Sequence, residues 1–282
     1  MNLWKVELIL LFRSWRGWTL VSLYFLASIL SLITNYFIDK ANEGELVPYA
    51  DVIEMYLLFT LPAGILFIGL VVSSMSFDAN QNLSIFLRMR FSFGKILLTK
   101  LVIYVLLSEA LFLFTFAITF ISSMVMFDTS DAISSKWFLL GFLFNILNSI
   151  FWICLITFTS SVFKSTVASL LLTLALVIGF PILVGVATPL ELAARGLLET
   201  PQNEWNNVSY VGKINNWWPT TTSDTISFLT VTNSEIAADT INVNFQDTEL
   251  DPWFRLKPLI VSLFVGPLLW LYAWRTYSRR EI

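Results

Sequence analysis

The sequence predicts an all-α integral membrane protein with six transmembrane helices, an N-terminal interfacial helix and a small external insertion between the fifth and sixth helices. Of its 282 residues, 56% are hydrophobic and only 13% are charged. A soluble domain has about a quarter charged residues, so this composition excludes a soluble enzyme and a disordered chain. Apolar runs such as SLLLTLALV at 169–177 lack the alternation of membrane-barrel strands. The spans are therefore predicted to be helices.

Six segments are long and apolar enough to cross a bilayer, whose hydrocarbon core of about 30 Å needs roughly 20 apolar residues in a helix. The third exceeds that length and can tilt or project from the membrane. Pro62, Pro181 and the Gly266-Pro267 pair can kink their helices. The predicted spans are 18–38, 53–76, 99–126, 137–162, 166–188 and 258–277.

The segment 1–17 is predicted to be an amphipathic helix lying in the membrane interface. Asn2, Lys5, Arg13 and Arg16 fall on one side of a helical wheel, and large apolar residues lie largely elsewhere. With Glu7 and two arginines inside an apolar stretch and no cleavage site of the A-x-A type, the segment does not fit a cleavable signal peptide. The alternative is a frayed N-terminal extension of the first span.

The charges predict that both termini face the cytoplasm, because Lys and Arg accumulate in cytoplasmic loops. The side that holds the termini has eleven basic and three acidic residues, whereas the other side has six basic and fifteen acidic residues. The eleven basic residues are Lys5, Arg13, Arg16, Arg88, Arg90, Lys95, Lys100, Lys164, Arg275, Arg279 and Arg280. We therefore expect a multi-pass protein of the cell inner or plasma membrane.

Two connecting stretches are too long or too patterned to be plain connectors. The cytoplasmic link 77–100 begins with polar residues after Asp78 and continues with apolar side chains mixed with Arg88 and Arg90. It is either a basic interfacial helix on anionic lipid or a docking element for a cytoplasmic partner. The segment 189–257 contains a tryptophan-rich stretch at 205–218 and an acidic end, and is predicted to form a small external subdomain or cap. Residues 18–188 then hold spans one to five, and 258–282 hold span six and a cytoplasmic tail.

Among the polar residues inside the predicted spans, three are candidates for a functional role. Glu109 occupies the middle of span three, where a carboxylate is costly unless it is protonated, paired or facing water. Asn145 and Asn148 share a face of span four. These side chains either line a substrate path or make helix–helix hydrogen bonds within the bundle.

No catalytic set is visible in the sequence. The chain has no histidine and one cysteine, which excludes histidine-based triads and histidine or cysteine-cluster metal sites. It contains neither a GxxxxGK[ST] phosphate loop nor a G-x-S-x-G elbow. We therefore expect no enzymatic activity, no metal and no cofactor bound by this chain. Any energy source other than an ion gradient must come from a partner.

The whole architecture resembles the ABC-2 type permeases of ABC transporters, the type V exporter group. The most specific match is in the link, where Phe86-Leu87, Ser92 and the run 96–100, ending in a lysine, follow the family's order of features. Arg90 stands where that family commonly has proline, and Asn80-Gln81-Asn82 replace its usual acidic and glycine residues.

This resemblance implies that the link is a coupling helix seated in a groove of a separate ATP-binding subunit. Two such subunits, with their ATP and Mg²⁺, would pair with two permeases, the second being another copy or a paralogue, and the substrate path would run between them. Membrane lipid is the remaining partner, and no nucleic acid is expected. The residues expected to couple to the ATPase are Asp78, Phe86, Arg88, Arg90, Phe93 and Lys95.

The expected function is export driven by a partner ATPase, with a lipophilic or amphipathic cargo such as a lipid, a peptide or an antimicrobial. The high aromatic content is compatible with such a cargo, although phenylalanine also faces lipid. One alternative is a non-transporting module that passes ATPase-driven motion to an external partner. Another alternative is an ion-coupled secondary transporter that uses Glu109. Such transporters often contain inverted repeats, and the lack of a repeat between 1–126 and 137–282 argues against this alternative.

Overall fold

Every regular element that the structure describes is helical. The computed structural model describes residues 3–41, 49–76, 91–127, 135–163, 165–198, 205–215, 217–219 and 252–279. Within these ranges 92% of the residues are in helices and none is in a strand. Six helical segments are long and apolar enough to cross a membrane, as the composition predicts: Trp15–Ala41, Asp51–Met75, Phe93–Met126, Asn145–Val162, Thr166–Ala194 and Lys257–Arg279.

The helices are numbered in chain order, and a π-helical turn at Ala175–Gly179 separates α7 from α8. Spans two and five each comprise two helices, α3 with α4 and α7 with α8, whereas the other spans are single helices. The bounds are α1 Leu3–Arg13, α2 Trp15–Ala41, α3 Tyr49–Phe59, α4 Leu61–Met75, α5 Phe93–Met126, α6 Ser135–Val162, α7 Thr166–Leu174, α8 Phe180–Ala194, α9 Trp205–Val208, α10 Tyr210–Asn215 and α11 Pro252–Arg279.

The N-terminal helix α1 is separate from span one, and the break lies at Ser14. The Ser14 hydroxyl accepts a hydrogen bond from the Gly17 amide at 3.2 Å. Gly17 is required there, because a Cβ would lie 2.5 Å from the Leu11 carbonyl oxygen. Leu3, Glu7 and Leu11 form the buried face of α1 and recur every four residues. The large apolar side chains on its other faces are exposed, which suits the predicted position in the membrane interface.

The chain breaks two of its spans next to proline. Thr60 separates α3 from α4 just before Pro62, and its hydroxyl donates to the Leu57 carbonyl at 2.6 Å. The π-helical turn comes just before Pro181, which has no amide hydrogen to continue the α-helical pattern. Span six differs, because α11 continues as one helix through Pro258 and Pro267.

Each span packs against at least one other span, and these contacts connect all six into one bundle. Helix α2 packs against α3 and α5, α5 packs against α6, and α6 makes its longest contact with α11. The first half of span five, α7, packs against α4 and α6. The second half, α8, packs against the short helices α9 and α10 of the insertion. Span five thus joins the bundle to the insertion.

Candidate functional site

The two ends of the predicted coupling link meet in one packed cluster. Met75 ends α4, just before the predicted link 77–100, and Phe93, which lies within that link, begins α5. The hydroxyl of Tyr277, near the end of α11, donates to the Met75 carbonyl at 2.9 Å. The Tyr277 ring also stacks on Phe93, with ring centroids 5.1 Å apart. We call the following residues the link-end cluster: Glu7, Ser74, Met75, Phe93, Lys100 and Tyr277.

A buried ion pair connects the N-terminal helix to this cluster. Lys100 Nζ of α5 lies 2.9 Å from Glu7 Oε2 of α1, and each side chain is only 5% exposed. The same ammonium donates to the Ser74 hydroxyl of α4 at 2.7 Å. Two buried opposite charges at this distance attract strongly, but each also loses its hydration. The pair therefore fixes the position of α1 on α4 and α5, because either charge without the other would be costly.

The sequence contained a signal for this pair, although the pairing was not predicted. Glu7 is the one acidic residue among the first 38, and it lies on the apolar face formed by Leu3 and Leu11. Lys100 lies on a buried part of α5 beside Ile96 and Leu97. A charge on an apolar helix face needs a partner from another element. That the two charges satisfy each other depends on tertiary packing across 93 positions of sequence.

The structure describes two of the six residues predicted to couple to an ATPase. Phe93 is 3% exposed and belongs to the link-end cluster, so it is packed against the bundle. Lys95 is exposed, and its ammonium lies 5.9 Å from the centre of the Phe91 ring. Asp78, Phe86, Arg88 and Arg90 lie outside the described residues, and their roles stay predictions.

The structure brings Glu109 and Asn145 together and pairs Asn148 with another helix. The Glu109 carboxylate accepts hydrogen bonds from Asn145 Nδ2 at 2.9 Å and from the Ser149 hydroxyl at 2.7 Å. Sequence reasoning missed Ser149, which lies one turn after Asn145 on α6. Asn148 Oδ1 accepts a bond from the Ser262 hydroxyl of α11 at 3.2 Å. Bonds of this kind hold helices together in a membrane, and the assignment of these residues to a substrate path stays a prediction.

A carboxylate on span five holds the start of the insertion. Glu191 of α8 accepts bonds from the backbone amides of Tyr210 and Val211, at 3.0 and 3.1 Å, and from the Ser209 hydroxyl at 2.5 Å. It also pairs with Arg195, one turn later, at 2.9 Å. We call these five residues the insertion clamp. The first amide groups of a helix have no acceptors within that helix, and the Glu191 carboxylate supplies acceptors for two of them in α10. The clamp therefore holds α10 against α8.

After α10 the chain turns back into the bundle and places Trp218 among spans four, five and six. Its ring centroid lies 4.5 Å from that of Phe180 in span five and 6.0 Å from that of Trp152 in span four. It also packs in a cluster with Val261 of span six. We call Trp218, with Phe151, Trp152 and Phe180, the tryptophan wedge. Sequence reasoning placed Trp218 in the external insertion, and nothing in the local pattern indicated its partners.

The described residues contain no group of three or more His, Cys, Asp or Glu side chains that could hold a metal ion. Cys154, the one cysteine, is buried and free. No protein-family model matches the chain, and comparisons with curated proteins and with solved structures find no match to it. The description of its function therefore depends on its own residues.

Proposed function

We propose that this protein is the membrane-spanning permease subunit of an ATP-driven exporter of the ABC-2 type. In this proposal a separate cytoplasmic ATPase docks on the link between spans two and three. The cargo is lipophilic or amphipathic, and two permeases assemble with two ATPases that hold the ATP and Mg²⁺. The observation that best supports this proposal is the link-end cluster. Residues next to both ends of the link contact other helices of the bundle, so a movement of the link would displace those helices.

The contacts of the cluster define how such a movement would spread. A displacement at Phe93 would reach span six through the ring of Tyr277, and span two through the bond from Tyr277 to Met75. It would reach α1 through Lys100, which lies two turns into α5, and its partner Glu7. Packed helices of this kind move as units. Nucleotide binding would therefore bias the arrangement of several spans at once, as in any two-state element.

Co-purification with an ATPase tests the proposal. We expect a phosphate-loop ATPase to remain bound to the purified protein and to be lost when residues 77–95 are replaced. Replacing Phe86 and Arg88 together by alanine should uncouple ATP hydrolysis from transport without preventing membrane insertion. A matched control removes the same two residue types from α1, Phe12 and Arg13, both of which are exposed. Normal substrate-stimulated ATPase activity in the assembled Phe86 and Arg88 variant would refute the coupling role.

The orientation is tested separately with introduced cysteines. Lys213 in α10 and Arg279 at the end of α11 are exposed, whereas Cys154 is 2% exposed and gives little background labelling. With the termini in the cytoplasm, Lys213→Cys should react with a membrane-impermeant maleimide on intact cells. Arg279→Cys should react only after the membrane is permeabilised. The opposite pattern would place the link outside the cell and exclude a cytoplasmic motor.

A second function is favoured by one observation, the contact of the insertion with spans four, five and six through Trp218. In this alternative the protein transports nothing and passes ATPase-driven motion to an external partner. Deletion of residues 220–250 separates the two functions. Loss of biological function with cargo movement intact would favour the alternative, and loss of both would favour export.

A further inference from the structure

Helix α1 has an exposed apolar row beside the face that packs on the bundle. Trp4, Leu8 and Phe12 recur every four residues, as the buried residues of α1 do, and are 40%, 40% and 51% exposed. Trp18, in the first turn of α2, extends this row, because its indole N–H donates to the Phe12 carbonyl at 2.9 Å and its ring packs edge-on against the Phe12 ring. Trp18 is itself 59% exposed. We call Trp4, Leu8, Phe12 and Trp18 the aromatic flank.

The contacts of α1 place the aromatic flank at one end of the bundle. The buried residues Leu3 and Leu11 pack in the same cluster as Met75, in the last turn of α4, and Tyr277, near the end of α11. Because a spanning helix leaves the hydrocarbon region near its end, α1 lies near the depth of the lipid headgroups. Exposed tryptophan side chains at that depth are typical of the membrane interface.

The face of α1 that points away from the bundle is basic. On a helical wheel Lys5 and Arg13 lie roughly opposite the buried face, and the aromatic flank lies between the two faces. Both side chains are exposed, and among the described residues neither forms an ion pair with an acidic residue. Ile9 lies between them and is 52% exposed, so this face also carries apolar surface that suits a position among lipid headgroups.

The rest of this end of the bundle is basic as well. The other exposed cations that the structure describes there are Arg16, Lys95, Arg275 and Arg279. The acidic residue described at this end, Glu7, is buried and paired. The whole chain has a net charge of −3, so its total charge does not attract anions. Attraction for an anionic surface comes from the basic residues gathered at this end.

We propose that the aromatic flank, together with Lys5 and Arg13, is a docking surface for anionic phospholipid. The flank enters the boundary between headgroups and acyl chains, and the two cations bind the phosphate groups of the lipid. A zwitterionic headgroup carries its own positive charge, which opposes binding to a basic face, so the surface prefers a lipid with net negative charge. This inference goes beyond the proposed export function, because neither an ATPase nor a cargo takes part in these contacts.

The test compares two lipids that differ only in their headgroup on the purified full-length chain. Leu8→Cys is labelled with a nitrobenzoxadiazole fluorophore in an uncharged alkyl maltoside, and the native Cys154, only 2% exposed, gives little background. Dioleoyl phosphatidylglycerol and dioleoyl phosphatidylcholine are then titrated separately. The emission should shift to the blue with both lipids, but at an anionic lipid concentration about 20- to 30-fold lower. Added salt should reduce this preference, because exposed charges are screened.

Substitutions separate the charged part of the surface from the apolar part. Lys5→Gln and Arg13→Gln should each weaken binding of the anionic lipid by about fivefold and leave the zwitterionic lipid unchanged. Trp4→Ala should weaken both lipids by a similar factor, because the flank contacts the part of the lipid that the two share. The matched control replaces Lys40 and Lys213 by glutamine. Both are exposed and lie at the opposite end of the bundle, so the same loss of charge should change neither affinity.

Equal titrations with the two lipids would overturn the proposal, and so would an anionic preference that survives in the Lys5→Gln and Arg13→Gln double variant. Emission that shifts when an ATPase is added and stays unchanged with lipid would show that α1 docks a protein, which would also overturn it. The comparison of the two lipids with Lys5 and Arg13 in place does not depend on how the variants fold.

The outcome is distinguishable from that of the proposed function. Absence of an anionic preference while an ATPase still co-purifies would reject this inference alone, whereas the preference without any associated ATPase would reject the proposed function alone. The variant without Phe12 and Arg13 should lose the preference and keep ATPase coupling. The variant without Phe86 and Arg88 should keep the preference and lose coupling.

Discussion

The two ends of the molecule both use a glutamate to hold a short helix against the bundle, but in different surroundings. At the link-end cluster, Glu7 and Lys100 are each 5% exposed and connect α1 to α5. At the insertion clamp, Glu191 and Arg195 are 18% and 34% exposed, and the carboxylate mainly caps backbone amides of α10. Charge attraction is strong in the first environment and screened in the second.

This difference indicates how firmly each region is held. Separating the two charges of a buried pair leaves each of them buried without a partner, which costs free energy. We therefore expect α1 and α5 to move together. A clamp at the surface can exchange its bonds for water at lower cost, and Trp218, which follows α10, adds aromatic packing against Trp152 and Phe180. The link end thus combines a buried ion pair with ring stacking, whereas the insertion end combines a more exposed clamp with the packing of Trp218.

The largest effect is expected from removing one charge of the buried pair. Glu7→Gln or Lys100→Met should lower the free energy of unfolding by about 3 to 5 kcal/mol, because the remaining charge stays buried without its partner. The double variant Glu7→Leu with Lys100→Met should recover most of that loss. Unfolding in mixed micelles measures both. Lys95→Met, an exposed lysine near the start of the same helix, is the control, and equal losses in the single and double variants would contradict the coupling.

The next effect concerns the tryptophan wedge. Trp218→Ala should lower the free energy of unfolding by about 3 kcal/mol, because a large ring leaves a space among spans four, five and six. Trp217→Ala removes the same side chain from an exposed position and should change it by less than about 0.5 kcal/mol. The same unfolding measurement applies. If the two variants lose equal stability, packing at the insertion end does not depend on the wedge.

A smaller effect is expected at Glu109, which belongs to neither end. Glu109→Gln keeps a side chain that can still bond to Asn145 and Ser149, so the free energy of unfolding should change by about 1 kcal/mol. Ser149→Ala, which removes one of the two donors, should change it by a similar amount. A loss several times larger for Glu109→Gln alone would mean that the carboxylate charge itself is needed, as an ion-coupled transporter would require.

The smallest effect on the whole molecule is expected at the insertion clamp. Glu191→Gln should speed hydrogen exchange at the amides of Tyr210 and Val211 several-fold, because they lose a charged acceptor. Exchange elsewhere in the bundle should stay unchanged. Arg195→Gln removes the ion pair but leaves the carboxylate, so it should affect the same two amides much less. Equal exchange in the two variants would show that the arginine, and not the carboxylate, holds α10.

Two helices extend beyond the predicted spans, because local contacts continue them past the apolar run. Span three was predicted to begin at 99, whereas α5 begins at Phe93, since Ser92 is extended and its carbonyl accepts the first bonds of the helix. Span five was predicted to end at 188, but α8 continues to Ala194. There the chain turns at Gly196, whose φ of 68° favours glycine. Helix α8 therefore continues past 189, the position at which the insertion was predicted to begin.

The sequence by itself determined the class of the protein and the number of its spans. Apolar length and the scarcity of charge are properties of continuous segments, so they can be read without knowing what the segments contact. Only the tertiary structure decided that Glu7 meets Lys100, that Glu109 meets Ser149, and that Trp218 returns to Trp152. Each of these contacts joins residues far apart in the chain, and their pairing depends on how the helices are rotated and placed. Hydropathy does not determine the rotation and placement of the helices, because a lipid-facing side and a packed side of a spanning helix are equally apolar.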